Sequence, residues 1–201
     1  MKYYVLYNAI AGHGKAEEIA RALPEKLDGE VVGFADMTKI TNYSAFLSDK
    51  SDCALVICGG DGTLNEVVNG IVGFEHASMS CYPCGSGNDF VKYFGGKKVF
   101  WNLEELLEAP EEYIDLMRVG NKYAINATHF GFDSSVAETM MKVRRKKLIG
   151  GNNAYTTGIV VALFKAMKNP CKVTVDGELL NPEGHILLCT IANGQYVGGS
   201  F

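Results

Sequence analysis

The sequence is poor in most features that mark a special class of protein. It holds one Trp, five Pro and four His in 201 residues. The histidines, His13, His76, His129 and His185, are scattered and show no metal-ligand spacing. No stretch approaches the roughly 20 consecutive apolar residues that a membrane-spanning helix needs. The opening apolar run, Tyr3 to Tyr7, is cut off by Asn8 and is too short for the core of a secretory signal. Neither sign of charge prevails: 19 Lys and Arg stand against 23 Asp and Glu, a net charge of −4. That mildly acidic balance speaks against nucleic acid as a partner. Hydrophobic residues at 47% and charged residues at 21% exclude a disordered or collagen-like chain. A length of 201 residues allows one large domain or two small ones, each able to bury a core.

Cysteine is present but sparsely patterned. Cys53, Cys58, Cys81, Cys84, Cys171 and Cys189 sit mostly in apolar runs and, without a signal, read as reduced core thiols of a cytoplasmic protein. Cys81-x-x-Cys84 has the spacing of a redox motif or of half a zinc site, with no second pair to complete four ligands.

What is abundant is Gly, at 23 residues. The pattern around these glycines alternates strand and helix. Residues 2–7 read as a buried strand, 14–27 as a helix, 31–34 as a strand and 41–47 as a helix. The continuous apolar run 53–58 fits a strand covered on both faces, followed by a helix over 64–72. A strand over 80–84, a helix through Phe94, a helix over 101–108 and a strand over 113–119 complete the series. Such alternation predicts an α/β fold with a largely parallel sheet. The pattern then changes: a hairpin turn at Gly120-Asn121-Lys122 joins Ile114–Val119 to Tyr123–Ala127. Two helices follow, over 136–147 and 155–168, and then strands over 171–175 and 185–192. The expected division is therefore a domain over 1–118 and a β-rich domain over 119–201 that reads as incomplete.

Three glycine-rich segments fall at the carboxyl ends of three expected strands. They are Asn8 to Lys15, Gly59 to Thr63, and Gly85 to Asp89. In an open parallel sheet such loops line one crevice, and each precedes a helix whose free N–H groups favour an anion, phosphate above all. Gly12-His13-Gly14-Lys15 is not a Walker A loop, because the spacer and the following hydroxyl residue are missing. A carboxylate among phosphates, as at Asp61, makes sense if it holds a cation such as Mg²⁺ or takes a proton from an attacking hydroxyl.

Gly59-Gly60-Asp61-Gly62-Thr63-Leu64-Asn65-Glu66-Val67-Val68-Asn69-Gly70 resembles the signature of the diacylglycerol kinase catalytic-domain family, which includes bacterial lipid kinases, ceramide kinases and sphingosine kinases. Asn8 to Lys15 resembles its N-P-x-x-G-x-G-K/R loop, with Ala9 in place of Pro. Pro83 to Phe90 resembles its P-x-G-T-x-N-D-F segment, with Ser86 in place of Thr. Asn126 to Asp133 and Asn193 to Gly199 match further segments in order.

The resemblance implies a three-layer N-terminal domain shared with NAD kinases, and transfer of the ATP γ-phosphate to the hydroxyl of a diacylglycerol-like lipid at a membrane surface. It implies ATP contacts at Asn8, Ala9, Ile10, Ala11, Gly12, Thr38, Gly59, Gly60, Gly62, Thr63, Leu64, Asn65, Glu66, Gly85, Ser86 and Asn88. Asp61 would act in catalysis and, with Asp89, in holding Mg²⁺. The basic cluster Lys142, Arg144, Arg145, Lys146 and Lys147 is either a solvated helix end or a contact to an anionic membrane, at about 1 kcal/mol per basic residue. The second reading puts the protein in the cytoplasm, peripheral to the inner membrane face.

Family members continue beyond the segment that closes this sequence, with further acidic residues and a Glu proposed as general base. None of these maps here, and the chain reads as part of a longer protein. Val175-Asp176-Gly177-Glu178 resembles the motif of that late Glu but corresponds in order to an earlier strand, so it reads as a turn. Two alternatives stand beside the lipid kinase. One is an NAD kinase-like enzyme, which shares the G-G-D-G-T loop; the other is a non-catalytic nucleotide-binding module. Leu64-Asn65-Glu66 and Asn88-Asp89-Phe90 favour the lipid branch.

Overall fold

Four segments are long enough for strands, the two central ones being nearly continuous apolar runs. They form one parallel sheet in the order β2-β1-β3-β4: β1 (Lys2–Tyr7), β2 (Glu30–Asp36), β3 (Cys53–Gly59) and β4 (Met79–Pro83). The structure is a computed structural model, and it describes residues 2–48, 50, 53–74, 77–132, 134, 164, 167 and 169–198. Pairing of β1 with β3 is in register from Lys2 opposite Cys53 to Tyr7 opposite Cys58.

Alternation along the strands sends side chains to two cores. Tyr3, Val5 and Tyr7 of β1, with Val56 and Cys58 of β3, pack on Ala16 and Ala20 of α1 (Ala16–Ala22) and on Leu103 of α6 (Leu103–Glu108). Leu6, Leu55 and Ile57 face the other way. They meet Leu47 of α2 (Tyr43–Ser48), Leu64 and Val67 of α3 (Asp61–Ile71), Val91 of α4 (Asp89–Tyr93) and Phe100 of α5 (Lys97–Trp101). The α/β class and the parallel sheet expected from the sequence are both present, with helices on both faces. Val5, Leu6, Val56 and Ile57 are wholly buried, each worth about 1.5–3 kcal/mol relative to exposure.

Several element ends differ from expectation for local reasons. The first helix runs only to Ala22, because Pro24 brings no N–H to an α-helical bond and the chain tightens into a 3₁₀ turn over Leu23–Lys26. The helix expected from Leu64 starts at Asp61: Gly60 is extended, and its carbonyl takes the Leu64 N–H at 3.0 Å. The helix expected over 101–108 is broken at Asn102 into α5 and α6. The strand expected from Tyr113 is confined to β5 (Met117–Val119), and Tyr113 is fully exposed.

The hairpin at Gly120-Asn121 is present, pairing β5 with β6 (Lys122–Ala124). Beyond Ala124 the strand stops, because the backbone is claimed by side chains and loops. Asn65 Oδ1 accepts the Ile125 N–H at 3.1 Å, and the Asn126 carbonyl accepts from Asn193 and Gly194.

Contacts divide the chain into two units, Met1–Asn126 with Asn193–Phe201, and Ala127–Ala192. Among the described residues, the second unit holds small antiparallel pairs. β7 (Ala127–Gly131) pairs with β12 (Leu188–Ala192), β8 (Asn169–Pro170) with β11 (His185–Ile186), and β9 (Thr174–Val175) with β10 (Glu178–Leu179). Asp176 and Gly177, at φ +51° and +88°, make the turn of the last pair, as the sequence pattern predicts for Val175 to Glu178. The helix expected over 136–147, with the basic cluster Lys142 to Lys147, lies outside the described residues, as does all but Phe164 and Met167 of the helix expected over 155–168. Among the described residues no helix is long and apolar enough to cross a membrane.

Candidate functional site

β1 and β3 are neighbours in the sheet, but the chain leaves them in opposite directions, β1 toward β2 and β3 toward β4. Their carboxyl ends therefore flank a crevice, the place where open parallel sheets take ligands. The loop after β1 is folded on itself by Asn8. The Asn8 carbonyl accepts the Ala11 N–H at 2.9 Å, its Oδ1 accepts the Ile10 N–H at 3.2 Å, and its Nδ2 donates to Thr63 Oγ1 at 3.3 Å. Gly12, at φ +59°, is crowded: a Cβ there would stand 3.1 Å from the Cys84 carbonyl oxygen. The first and second loops are thus joined through Asn8 and Thr63, and the first and third through Gly12 and Cys84.

The second and third loops meet backbone to backbone. A Cβ on Gly60 would stand 2.9 Å from the Gly85 Cα, and one on Gly85 only 2.6 Å from the Gly60 Cα. Asn88 holds the third loop closed: its Oδ1 accepts the Gly85 N–H at 3.0 Å and its Nδ2 donates to the Gly85 carbonyl at 2.5 Å. Asn88 is buried and left-handed, at φ +51° and ψ +49°. Asn tolerates that conformation better than most residues, which explains its place between Gly87 and α4.

The sequence pattern expects a helix end behind each loop. Of the three, only α3 is a helix of several turns, at eleven residues. The first loop leads into a 3₁₀ turn at Gly12–Gly14, and the third into the five-residue α4. The N–H groups of Asp61, Gly62 and Thr63 open α3 and are not used inside it, which makes this end the anion-favouring one.

Two carboxylates stand beside that end. Asp61 Oδ1 accepts the Phe90 N–H at 3.0 Å. Asp61 Oδ2 and Asp89 Oδ2 lie 3.1 and 3.6 Å from the point a Gly87 Cβ would occupy, so the absence of a side chain at Gly87 leaves both room. Asp89 is buried and its Oδ1 takes the Lys92 ammonium at 2.6 Å. Among the described residues no three His, Cys, Asp or Glu side chains cluster closely enough to hold a metal by themselves. A pair of carboxylates does suit Mg²⁺, which commonly takes one or two from protein and fills its remaining positions with phosphate oxygens and water.

The other residues singled out from the sequence differ in their surroundings. The Leu64 side chain is buried in the core and its N–H is given to Gly60. Asn65 is turned to Ile125, and the Glu66 side chain is exposed. Ile10 and Ser86 are exposed at the loop surfaces. Thr38 sits in the 3₁₀ turn after β2, where its hydroxyl and amide both donate to Asp36 Oδ1, at 2.8 and 3.1 Å.

Sequence reasoning missed Asp36. It is buried at the carboxyl end of β2, caps the turn Met37–Lys39 and also accepts the Ala9 N–H at 3.5 Å. Burial alone would raise its carboxyl, but the Thr38 hydroxyl and amide, the Ala9 amide and the Lys39 ammonium at 3.7 Å outweigh it. They hold the group below the ordinary carboxylate value. The available signal was the order Asp-Met-Thr at a strand end, where a short acidic side chain bonds its own backbone two residues on. Tyr7, Asp36, Lys39, Ile40 and Phe46 line a cleft of about 470 Å³, within the size range of small-ligand pockets.

Comparison with known proteins places this arrangement in a class. Residues 2–119 match the family described as the diacylglycerol kinase catalytic domain, and the chain belongs to that family. A protein from Staphylococcus epidermidis named "Putative lipid kinase" is 32% identical over 173 residues, covering 85% of this chain and 53% of its own. A like-named protein of Staphylococcus haemolyticus is 31% identical over 176 residues, covering 86% of this chain and 54% of its own. The chain thus spans about half the length of the curated relatives it matches. A solved structure described as a diacylglycerol kinase from Bacillus anthracis shares the fold. Its TM-score is 0.59 at 18% identity, with 98% of this chain and 66% of that one covered.

Proposed function

We propose that this chain carries the nucleotide site of an ATP-dependent lipid kinase, which passes the γ-phosphate to the hydroxyl of a diacylglycerol-like lipid. The observation that supports it most is the meeting of three glycine loops at Gly12, Gly60 and Gly85, with Asp61 and Asp89 both close to Gly87. Phosphoryl transfer asks little covalent chemistry of a protein; it needs phosphates held in place and their charge offset. In this reading the opening N–H groups of α3 and the loop from Asn8 to Gly12 bind the phosphates, while Asn88 and Thr63 keep the loops in position. Mg²⁺, when bound, would supply charge neutralisation between phosphate oxygens, and Asp61 and Asp89 are the residues that would hold it. Asp61 would also be placed to take the proton of an attacking hydroxyl. The nucleoside end would lie in the cleft lined by Asp36 and Ile40, with Thr38 bonded to Asp36 behind it.

The basic run Lys142 to Lys147, through which the protein would touch an anionic membrane from the cytoplasmic side, belongs to the same reading. The test is transfer of labelled γ-phosphate from ATP, with Mg²⁺, to diacylglycerol in anionic vesicles and to NAD in parallel. Label in the lipid supports the proposal. Label in NAD alone supports an NAD kinase, and nucleotide binding with no transfer to either leaves a binding module.

A further inference from the structure

The sequence pairs Cys81 with Cys84 by spacing, but the fold separates them. Cys81 is buried in the core beneath α3, α4 and α5, whereas Cys84, just past the end of β4, packs against the core on the α1 side. There it meets a different thiol. Cys84 Sγ lies 3.8 Å from Cys58 Sγ, across neighbouring strands. Cys58 is opposite Tyr82 in the β3–β4 register, and Cys84 is two residues further along, on the same face. The two thiols differ in access: Cys58 is wholly buried and also contacts the Ala16 carbonyl at 3.4 Å, while Cys84 keeps part of its surface open.

We infer that Cys58 and Cys84 form a redox dithiol which a peroxide closes to a disulfide, and that this closure deforms the three glycine loops above it. Cys84 is the attacking thiol. Its hydrogen bond with Cys58 lowers it, whereas the same bond together with burial raises Cys58, so Cys84 ionises first. The Cys84 thiolate attacks one oxygen of hydrogen peroxide. The O–O bond breaks, a sulfenic acid forms, and the departing hydroxide takes a proton to become water. Cys58 then attacks the sulfenic sulfur. Its proton and the sulfenic hydroxyl leave together as a second water, and the S–S bond forms. Two thiols and one peroxide give one disulfide and two waters, the two electrons passing from sulfur to peroxide oxygen. A partly open thiol, lowered by a neighbouring thiol that can resolve it, is the arrangement redox sensors use.

The deformation follows from distance. A disulfide is about 2.05 Å long, so the sulfurs must close nearly half of their present separation. Cys58 is held inside the sheet, so the side-chain rotation and backbone shift that close the gap fall mainly on Cys84 and the loop it begins. The Cys84 amide donates to the Gly59 carbonyl at 2.9 Å, its own carbonyl oxygen stands 3.1 Å from the place of a Gly12 Cβ, and Gly85 backs onto Gly60. Displacing Cys84 therefore disturbs all three loops at once. Neither step needs a bound nucleotide, so the inference stands or falls apart from the kinase reading.

The experiment treats the reduced full chain with hydrogen peroxide, blocks remaining thiols with N-ethylmaleimide, and maps peptides without reduction. Hydrogen exchange is then followed in the segments 8–14 and 84–88. The expected result is a Cys58–Cys84 peptide two hydrogens lighter, lost on dithiothreitol and absent in Cys84→Ser. About tenfold changes in loop exchange should accompany it in the wild type and in Cys171→Ser. A bond from Cys84 to Cys81 or to another cysteine overturns the inference, as does oxidation that stops at Cys84 without a bond. A Cys58–Cys84 bond that leaves loop exchange unchanged overturns it as well.

Discussion

Gly85 and Gly60 pass so closely that a methyl group on Gly85 would stand 2.6 Å from the Gly60 Cα. The contact is backbone against backbone, so no side chain can swing away to relieve it. Gly85→Ala is expected to destabilise the chain by about 1–3 kcal/mol, the range for overpacking, and to weaken nucleotide binding. Gly62→Ala is the control, because a Cβ there meets nothing within 4 Å and should cost little stability. Urea unfolding of both variants checks the pair; equal effects would count against the close approach.

Asp61→Asn separates chemistry from structure. The amide oxygen of Asn can still accept the Phe90 N–H that Asp61 Oδ1 accepts at 3.0 Å. The melting temperature is therefore expected to hold within a few degrees, while γ-phosphate transfer falls by about 10²–10⁴-fold if the carboxylate is the proton acceptor. Full transfer by a folded Asp61→Asn chain would remove the proposed role.

Asp36 makes stability depend on acid. Its folded pKa lies below the ordinary value of 3.8, held down against burial by Thr38, Ala9 and Lys39. The stability it contributes is therefore fully present above about pH 4 and is lost as pH falls through the folded value. Asp36→Asn is expected to be less stable than wild type at neutral pH, with the gap closing below pH 4. Urea midpoints measured from pH 7 to pH 3 check the sign, and a gap independent of pH would contradict it.

Tyr43 carries the opposite kind of group. Its hydroxyl is buried with no hydrogen-bond partner among the described residues, and burial together with Glu66 pushes its pKa up to about 12. Its ring packs against Gly70. An unsatisfied buried hydroxyl costs about 1–3 kcal/mol, so Tyr43→Phe should keep the ring contact and stabilise the chain by about 1 kcal/mol. A destabilised Tyr43→Phe would show that the hydroxyl has a partner.

Much of the fold was legible from local pattern, because the cause was local. Apolar runs marked β1 as a buried strand and β3 as a strand covered on both faces, and glycine after β1, β3 and β4 marked the loops. Element ends were less legible where a distant group intervened. Tyr123 to Ala127 reads as one strand, but Asn65 and the Asn193-Gly194 turn claim the backbone after Ala124. Those partners are far away in sequence, so no window around Tyr123 contains them.

By itself the sequence determined that three glycine loops end three strands, that Asp61 and Asp89 accompany two of them, and which family the motifs belong to. These follow from residue type and short spacing, which the chain carries wherever it folds. Tertiary structure decided which groups meet. Strand order brought Gly60 against Gly85 and placed both carboxylates beside Gly87. It also tied Asp36, which Thr38 already bonds locally, to the Ala9 amide beyond the neighbouring strand. The cysteines show the difference most directly. Spacing joins Cys81 to Cys84, but an odd offset at a strand end turns them to opposite faces, and parallel pairing sets Cys84 beside Cys58 instead.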